Sequence, residues 1–435
     1  MASADFRRLF ISGFFTAGSR WAMVLGRGWL VFQMTGSATA VGAVTFAAWI
    51  PFVVIGPIAG VFADRFDRRL ILLWTTAVAI LSSAVMAALA IAGVIEFWHV
   101  LALALVSGIA QSGTVPARQA MLPSLVEKEH LLNAVALSSI AQHGSRIIGP
   151  IFGAPLLAFF GAGYVFLMST VLLSLGLIGV WRIVYRQQPA AAETAGEGVG
   201  AMVRGVAADL REGVAYSRRD RRVRTVMLLV MVHCGLTMAF DSMMPTLSTI
   251  VGGADSPGEG RGILYSAIIV GIGVGAVIGT FALSLVRTPA ATGRALAWAG
   301  FGSGAAMLVL GFATVPAMVI AGAVLAGATQ ATYMAFSSAL IQQVVPDALR
   351  GRVMALFIMM ATSHMAFLNL GFGWAADGIG VRLLLIVPAL IWTAFFLAAA
   401  IGAGEVRHML RHGTFRPLPA AAETAAAAAG GGGGS

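Results

Sequence analysis

Charged residues stand inside several long apolar runs of this sequence. Four lie well within such runs, namely Arg20, Arg27, Arg146 and Asp241. A charge in an apolar interior is costly, so it is usually paired or functional. A carboxylate and a guanidinium in such a place can attract each other, and a guanidinium can bind an anion. These residue types therefore predict electrostatic switching rather than the cleavage of a bond.

Three histidines, His143, His233 and His364, also lie in apolar runs. Histidine can gain or lose a proton near neutral pH. His143 precedes Arg146 by three residues and so shares its helix face, and His233 precedes Asp241 by eight, which makes His233 a candidate proton relay. The alternative for each is a hydrogen-bonded packing residue, which is the commoner role of a lone histidine in an apolar run.

Long, uniformly apolar runs dominate the chain and decide its class. Hydrophobic residues make up 59% of the 435 residues and charged residues only 11%, whereas soluble domains carry about 45–50% and about 25%. Many runs reach the roughly 20 residues that cross a bilayer as a helix, and they are too long for barrel strands of about 10 residues. We therefore predict an all-α polytopic membrane protein. The predicted spans are 6–34, 39–62, 70–94, 97–120, 132–159, 163–184, 223–250, 262–286, 294–314, 316–343, 352–376 and 381–404.

The formal net charge of +10 has a topological explanation. A basic chain can also bind nucleic acid, but here the arginines gather in alternate loops and near both ends. The remaining loops hold little more than Arg261 and Arg382. Cytosolic loops of membrane proteins carry such an excess. We therefore predict a multi-pass protein of the plasma (inner) membrane with both termini in the cytosol.

The longest polar segment, 185–222, divides the spans into six and six. Its first part, QQPAAAETAGEG, has the composition of a flexible linker. Its second part has the spacing of a basic amphipathic helix, which either lies on the cytosolic leaflet or caps the helical bundle. The predicted organisation is a six-span unit 1–184, the linker 185–222, a six-span unit 223–404, and a cytosolic tail 405–435 that ends in a linker of the kind added for expression.

The two halves of the sequence align at a constant offset of 279 − 60 = 219 residues. No gap is needed from the second span to the fifth. Such a parallel repeat predicts two six-helix bundles related by a pseudo-two-fold axis along the membrane normal, with a substrate site between them. The aligned pairs include Gly60 and Gly279, Gly108 and Gly327, Gln111 and Gln330, and Gly161 and Gly380.

The segment GVFADRFDRR resembles the loop signature G-x-x-x-D-R-x-x-R-R of the major facilitator superfamily. All five positions match, as Gly60, Asp64, Arg65, Arg68 and Arg69. The stretches 30–42 and 115–157 resemble the enterobactin-exporter-like subgroup of small-molecule efflux carriers. The resemblance covers residues 6–404. It implies a twelve-helix transporter of two six-helix bundles that exports a small organic molecule in exchange for protons.

The resemblance also extends to an antiporter motif in the fifth span, although one family feature is missing from the first span. The end of the motif, G-P-x-x-G-G, is matched by Gly149, Pro150 and Gly153, and Ser145 stands at an upstream glycine position. Members of the subgroup often carry an acidic residue in the first span. Here Ser19 occupies that position, so the usual proton carrier is absent there.

The first and seventh spans face each other across a central cavity in this family. Arg20 and Arg27 share one helix face, and the repeat places Asp241 at 241 − 219 = 22, between them in depth. We therefore expect Asp241 to pair with Arg20 or Arg27. Protonation of Asp241, or an anionic substrate on the arginines, would release the pair; the alternative is a static pair at the rim.

Further residues are predicted to line this cavity. Arg146 would bind an anionic substrate or cap carbonyl groups near Pro150, while Met238 is either a pocket residue or ordinary packing filler. A mixed polar and apolar pocket suits an amphipathic ligand. The remaining predicted cavity residues are His143, His233, Gln111, Gln330 and Tyr333.

The loop signature predicts a latch on the cytosolic side. Asp64 should dock at the start of the eleventh span, where a helix N-terminus carries partial positive charge. Arg287 should make the mirror contact at the start of the fifth span. Besides these two, the predicted latch comprises Gly60, Arg65, Arg68, Arg69, Arg350, Arg352, Glu127 and Glu129.

The chain lacks the motifs of metal sites and of ATP hydrolysis, so we predict neither an enzyme nor a bound cofactor. A proton gradient is the expected energy source. The expected partners are a small-molecule substrate and the lipid bilayer, without nucleic acid, and the expected functional unit is a monomer. Two alternatives remain open, which are an importer or lipid or lysolipid flippase of the same fold, and a transport-inactive membrane scaffold or sensor.

Overall fold

The computed structural model describes residues 4–56, 67–127, 149–184, 199–252, 259–286 and 288–415. These residues form helices joined by short turns, and the described ranges contain no strand. The helices of the first half are α1 (Ala4–Thr35), α2 (Ala38–Val54), α3 (Arg68–Ile91), α4 (Phe97–Leu125), α5 (Gly149–Phe160) and α6 (Ala162–Trp181).

The second half begins with a polar helix and continues with longer apolar ones. Its elements are α7 (Val199–Arg219), α8 (Arg221–Thr237), a 3-10 turn (Asp241–Met243), α9 (Met244–Gly252), α10 (Glu259–Ser284), α11 (Pro289–Phe312), α12 (Pro316–Val344), α13 (Asp347–Ile379), α14 (Val381–Gly402) and α15 (Gly404–His412).

The lengths and compositions of the helices are those of membrane-spanning segments. Within the described ranges, nine segments are long and apolar enough to cross a membrane, with Arg221–Gly252 counted as one. Large apolar side chains also cover the outside of the protein: Trp74 is 71% exposed, Phe159 79% and Trp298 77%. Water would not tolerate so much exposed apolar surface on a monomer, whereas lipid tails would.

The helices pack mostly with neighbours from their own half. In the first half α1 and α3 both pack on α6, and α4 packs on α2 and α3. In the second half α12 packs on α10 and α11, and α11 packs on α14. The largest contact between halves joins α2 to α13 through residues 37–46 and 367–377, which we call the α2–α13 junction.

Equivalent glycines of the repeat have equivalent roles. Gly161 and Gly380 precede α6 and α14, with φ of 87° and 89°, a backbone region that favours glycine. Gly108 of α4 lies against the backbone of α2, where a Cβ would be 2.5 Å from the Ala48 carbonyl oxygen. Gly327 of α12 lies in the same way against the backbone of α10.

The amphipathic helix α7 is fastened to α13. Arg352, at the start of α13, forms an ion pair with Asp209 at 2.8 Å and a second one with Glu212, both on α7. The sequence left two positions open for α7, on the cytosolic leaflet or against the bundle. These two ion pairs place α7 against the bundle.

The turn from α7 into α8 is capped by Asp220. Its carboxylate accepts the backbone N–H of Arg222 at 2.8 Å and pairs with the Arg222 side chain at 2.8 Å. Burial alone would raise the pKa of Asp220, but the hydrogen bonds and charge of Arg222 lower this pKa below its ordinary value. The cap therefore stabilises the fold above the unfolded-state pKa and loses that contribution as the pH falls through the folded-state pKa.

We predict that Gly380→Ala destabilises the protein. Alanine adopts the positive φ of this position only at a cost of about 1–3 kcal/mol, so the Tm in detergent should fall by about 2–6 °C. The matched control is Gly378→Ala, because Gly378 is helical and a Cβ there would meet nothing within 4 Å. Equal Tm values for the two variants would contradict the assignment.

Candidate functional site

Two adjoining cavities lie beside the middle of α1, and arginines line both. Asp241 and residues of α1 and α2 line one cavity, whereas residues of α1, α2 and α4 line the other. Arg27 lines both and Arg20 lines the second. Each cavity has a volume of about 20 Å³, roughly the room for one water molecule. We call this pair of cavities the arginine cavity.

Arg20 is held by partners on two other helices. Its Nε donates to Gln111 Oε1 at 2.7 Å, and the Gln111 amide nitrogen donates to Ser107 Oγ at 3.2 Å. The guanidinium carbon lies 5.9 Å from the ring centre of Phe52, within cation–π range. The structure thus brings the predicted residues Arg20 and Gln111 into direct contact.

Arg27 is more deeply buried than Arg20 and less completely bonded. Its side chain is 6% exposed, and its Nε donates to the Met23 carbonyl of the same helix at 3.2 Å. Its Nη1 is buried without a hydrogen-bond partner among the described residues. Asp241 lines the same cavity, and the predicted ion pair between Asp241 and an arginine of α1 stays a prediction.

A third arginine near this site, Arg118, was not identified from the sequence. It donates to the Leu9 carbonyl at 2.8 Å and to Thr16 Oγ1 at 3.4 Å, both on α1. It is close enough to Arg20 for the two positive charges to act on each other. The predicted span 97–120 ends two residues after Arg118, so the sequence indicates a loop border there. In the structure α4 continues to Leu125, so Arg118 lies within a helix.

The polypeptide leaves the helix next to Asp241. The sequence predicts an uninterrupted span 223–250, but α8 ends at Thr237 and the chain continues through residues 238–240 into the 3-10 turn. We call residues 238–240 the helix break. Discontinuous helices of this kind surround the substrate sites of many transporters.

Side chains from α12 and α13 satisfy the polar groups that the helix break exposes. Gln330 donates to the Thr237 carbonyl at 2.6 Å. The backbone N–H of Ser242 donates to Asn369 Oδ1 at 3.1 Å, and the Ser242 hydroxyl donates to the Asn369 carbonyl at 3.0 Å. Within a membrane such partners are obligatory because water does not replace them.

The α2–α13 junction is closed by the carboxylate of Asp377. It accepts the hydroxyl of Ser37 at 2.5 Å, the N–H of Ala38 at 2.8 Å, and the N–H and hydroxyl of Thr39 at 3.0 Å and 2.6 Å. An anion at a helix N-terminus meets unpaired N–H groups and a favourable dipole. A residue of α13 therefore caps α2.

Close backbone approach extends this junction along both helices. A Cβ on Gly42 would be 2.8 Å from the carbonyl oxygen of Asn369, and one on Gly373 would be 2.5 Å from that of Ala38. Real Cβ contacts are not this short, so both positions require glycine. The junction therefore depends on small residues as well as on the Asp377 cap.

A second contact between the halves joins α1 to α10. The rings of Trp29 and Tyr265 are stacked with centres 5.7 Å apart. A Cβ on Gly28 would overlap the Tyr265 hydroxyl, so glycine makes room for this ring. Tyr265 is 2% exposed, and the sequence did not single it out.

Residues of the predicted antiporter motif pack α5 on α1 beside the arginine cavity. A Cβ on Gly149 would overlap the Gly18 carbonyl and lie 2.8 Å from the Ala22 nitrogen, and one on Gly153 would be 3.2 Å from Leu25 Cδ2. Pro150 follows in the same helix. These glycines set how closely α5 approaches the helix that carries the arginines.

The structure differs from the predicted position of His233. Its ring is 0% exposed, stacks on Tyr333 with centres 4.1 Å apart, contacts the Trp392 ring edge-on, and has Nε2 3.0 Å from Ser303 Oγ. His233 and Tyr333 thus belong to the packed interior of the second half. Eight residues place His233 on the face of Asp241 only in a regular helix, and the helix break removes that relation.

Other predicted residues also take part in packing. Gln330 is 2% exposed and serves the helix break. Met238 lies at that break with its Sδ 3.7 Å from the Sγ of Cys234. His364 Nδ1 lies 2.9 Å from the Met360 carbonyl oxygen of its own helix.

The described part of the predicted latch makes contacts within the first half and with α7. Arg68 donates to the Ala120 carbonyl at 2.7 Å, and Arg69 donates to the Trp181 carbonyl at 2.6 Å. Arg352 binds α7, and Arg350 precedes it by two residues in the same helix. Glu127 is described but its predicted partner Arg287 is not. The predicted site residues outside the described ranges are Gly60, Asp64, Arg65, Glu129, His143, Ser145, Arg146 and Arg287, so the latch stays a prediction.

The arrangement supports charge pairing and anion binding at a break between helices. Within the ranges that the structure describes, no three His, Cys, Asp or Glu side chains gather closely enough to hold a metal ion. The polar groups of the site lie where the first half meets the second, beside the α2–α13 junction.

Comparison with known proteins agrees with this architecture. The structure is similar to a POT family transporter in complex with 5-aminolevulinic acid, with a TM-score of 0.70, 13% identity, and coverage of 93% of this chain and 97% of that one. It is also similar to the nucleoside transporter NupG, with a TM-score of 0.64, 13% identity, and coverage of 91% and 98%. At such identities these likenesses show the fold alone.

Sequence relatives are also transporters by name. An uncharacterized MFS-type transporter, YfiS of Bacillus subtilis, is 26% identical over 85% of this chain and 86% of its own length. The multidrug efflux pump Tap of Mycolicibacterium fortuitum is 23% identical over 77% and 80%. The staphyloferrin A transporter of Staphylococcus aureus is 28% identical over 37% and 41%.

The family model described as "Transmembrane secretion effector" matches residues 1–412, nearly the whole chain. The relatives and the fold neighbours are membrane transporters and not enzymes. The chain therefore belongs to the transmembrane secretion effector family of the major facilitator superfamily.

Proposed function

We propose that the chain is a secondary active exporter, which moves an amphipathic small organic molecule out of the cell in exchange for protons. The arginine cavity is the observation that carries this proposal. It places guanidinium groups and the carboxylate of Asp241 on shared walls beside the helix break, between the two halves. Alternating access requires interactions whose free energy differs between the two conformations. An unpaired charge in the membrane interior is costly, so the pairing and release of these charges supply that difference.

The proposed architecture has twelve spans in two six-helix bundles related by a pseudo-two-fold axis. Three observations support it: the separate packing of the two halves, the glycines Gly161 and Gly380 at an offset of 380 − 161 = 219, and the similar contacts of Gly108 and Gly327. The arginine bias supports cytosolic termini in the plasma membrane. In that orientation the α2–α13 junction lies on the outer side, so the described conformation is closed to the outside.

The direction of transport is proposed from the relatives. One is named a multidrug efflux pump, another a macrolide efflux protein, and a third a staphyloferrin A transporter. The alternative is import or lipid flipping by the same fold. The direction of flux distinguishes export from import. A scaffold or sensor would bind ligands without moving them.

The test of export uses everted membrane vesicles that contain the full chain, with erythromycin and staphyloferrin A as probes and mass spectrometry of the vesicle lumen as the readout. We expect at least one probe to accumulate when the lumen is made acidic, and the accumulation to collapse with a protonophore. Accumulation only in right-side-out vesicles would indicate import. Binding without flux in either orientation would indicate a sensor.

We predict that Asp241→Asn abolishes the response of transport to the pH gradient. Asparagine keeps the size of the side chain but carries no proton at this position, so substrate exchange should continue while gradient-driven accumulation is lost. Counterflow at equal pH and accumulation under a gradient measure the two separately. Asp5→Asn, far from the cavity, is the matched control. Unchanged gradient dependence in Asp241→Asn would exclude Asp241 as the coupling acid.

We also predict that Asp377→Asn opens the α2–α13 junction more often. The asparagine amide places an NH₂ group against the N–H and O–H donors of α2. The substitution also removes the charged acceptor, and a hydrogen bond to a charged group contributes about 1.5–3 kcal/mol. In a Cys234→Ala background, a cysteine introduced by Thr45→Cys in the arginine cavity should react about tenfold faster with a membrane-impermeant maleimide.

The labelling experiment has its own control. Asp5→Asn also removes a carboxylate but leaves the junction intact, so its labelling rate should equal that of the parent. An Asp377→Asn rate equal to that of the parent would show that this carboxylate does not hold the outer side closed.

A further inference from the structure

Positive charge exceeds negative charge among the described residues of the arginine cavity. Arg20 and Arg27 line it, and Arg118, about two turns beyond Gln111 on α4, bonds α1 and acts on Arg20. Asp241 is the one acidic residue among the described lining residues. Like charges close together in an apolar region repel each other strongly. Among the described lining residues, one carboxylate therefore stands against two arginines.

Arg27 has donors available for another group. Its Nη1 is buried on the cavity wall without a hydrogen-bond partner among the described residues, whereas its Nε is taken up by its own helix. A buried donor without a partner costs free energy until a ligand supplies an acceptor. Arginine binds planar oxyanions such as carboxylates through paired hydrogen bonds.

The cavity wall also carries apolar and aromatic side chains. Trp21, Trp49 and Phe52 line it together with Val24 and Val44. Aromatic walls favour the flat apolar body of a ligand. The present volume of about 20 Å³ in each cavity admits roughly a water molecule, so a ligand body enters only when the halves separate.

We infer that the transported molecule is an organic anion, whose oxyanion group binds Arg27 and Arg20 while its apolar or aromatic body lies against the tryptophans. This inference rests on the proposed export function, because it names the substrate class of the same cavity. It predicts discrimination by charge between molecules of equal shape.

The test compares three probes of nearly equal shape, which are naphthoate, naphthamide and naphthylmethylammonium. Their binding to the purified full chain is measured as the rise in Tm and as Kd by calorimetry. We expect naphthoate to raise the Tm and to bind at least about tenfold more tightly than naphthamide, with no detectable binding of the cation. Equal binding of the three probes, or no binding of naphthoate, would overturn the inference.

Substitutions assign the binding to the arginines. Arg27→Gln should weaken naphthoate binding by about tenfold or more and leave naphthamide binding unchanged. Arg27→Lys keeps the charge but loses the paired geometry, so it should fall between the parent and Arg27→Gln. Arg411→Gln on the exposed face of α15 is the matched control. If Arg27→Gln does not fold, Arg20→Gln provides the same comparison, and unchanged naphthoate binding in the folded variant would overturn the assignment.

Measurements of binding and of flux together distinguish this inference from the export proposal. Naphthoate binding that depends on Arg27, without accumulation of naphthoate in everted vesicles, would support the anion site and contradict export. Accumulation of the neutral or cationic probe without binding of naphthoate would support export and contradict the anion site.

Discussion

Polar groups in the interior of this protein have little water to bond with, and this shortage determines how the site is built. The helix break leaves the Thr237 carbonyl and the Ser242 N–H without helical partners, and Gln330 and Asn369 bond them. Arg20 is bonded by Gln111. These polar groups are thus bonded by side chains from other helices, so the helices are positioned by their hydrogen bonds as well as by their packing.

The same shortage explains why the two halves meet where they do. Asn369 bonds the 3-10 turn and also approaches Gly42 of α2, while Asp377, about two turns further along α13, caps the N-terminus of α2. One helix therefore bonds both the 3-10 turn after the helix break and the N-terminus of α2. Movement of α13 would change the environment of Asp241 and of the arginine cavity together.

Much of the fold follows from the sequence, because long apolar runs and glycine breaks mark helices in a membrane protein. The predicted span 381–404 corresponds to Val381–Gly402, and 70–94 to Arg68–Ile91. The helix break at residues 238–240 escaped prediction because Met238 and Phe240 are as apolar as their neighbours. Pro245, in the first turn of α9, has no N–H to continue a helix through this region, and Gln330 and Asn369, distant in sequence, bond the groups left at the break.

The site was partly predictable for related reasons. Arg20, Arg27 and Asp241 were visible because charges are rare in apolar runs, and the structure sets them on the walls of the arginine cavity. His233 was misplaced because helical periodicity does not extend across the break. Asp377 was missed because a lone acid near the end of a span resembles an ordinary loop border.

The Asp377 cap has a consequence for how α2 and its preceding turn can vary. Two of its bonds come from main-chain N–H groups, those of Ala38 and Thr39, which any residue except proline supplies. Exchange of the side chain at 38 should therefore be tolerated within the limits of the close packing, whereas exchange at 39 also removes the hydroxyl bond of Thr39. A one-residue deletion from the short turn between α1 and α2 would have to be taken up by a helix end, where one residue corresponds to about 100° of rotation, and would move these N–H groups away from the carboxylate. The junction thus constrains the length of the α1–α2 turn more strictly than the composition of that turn.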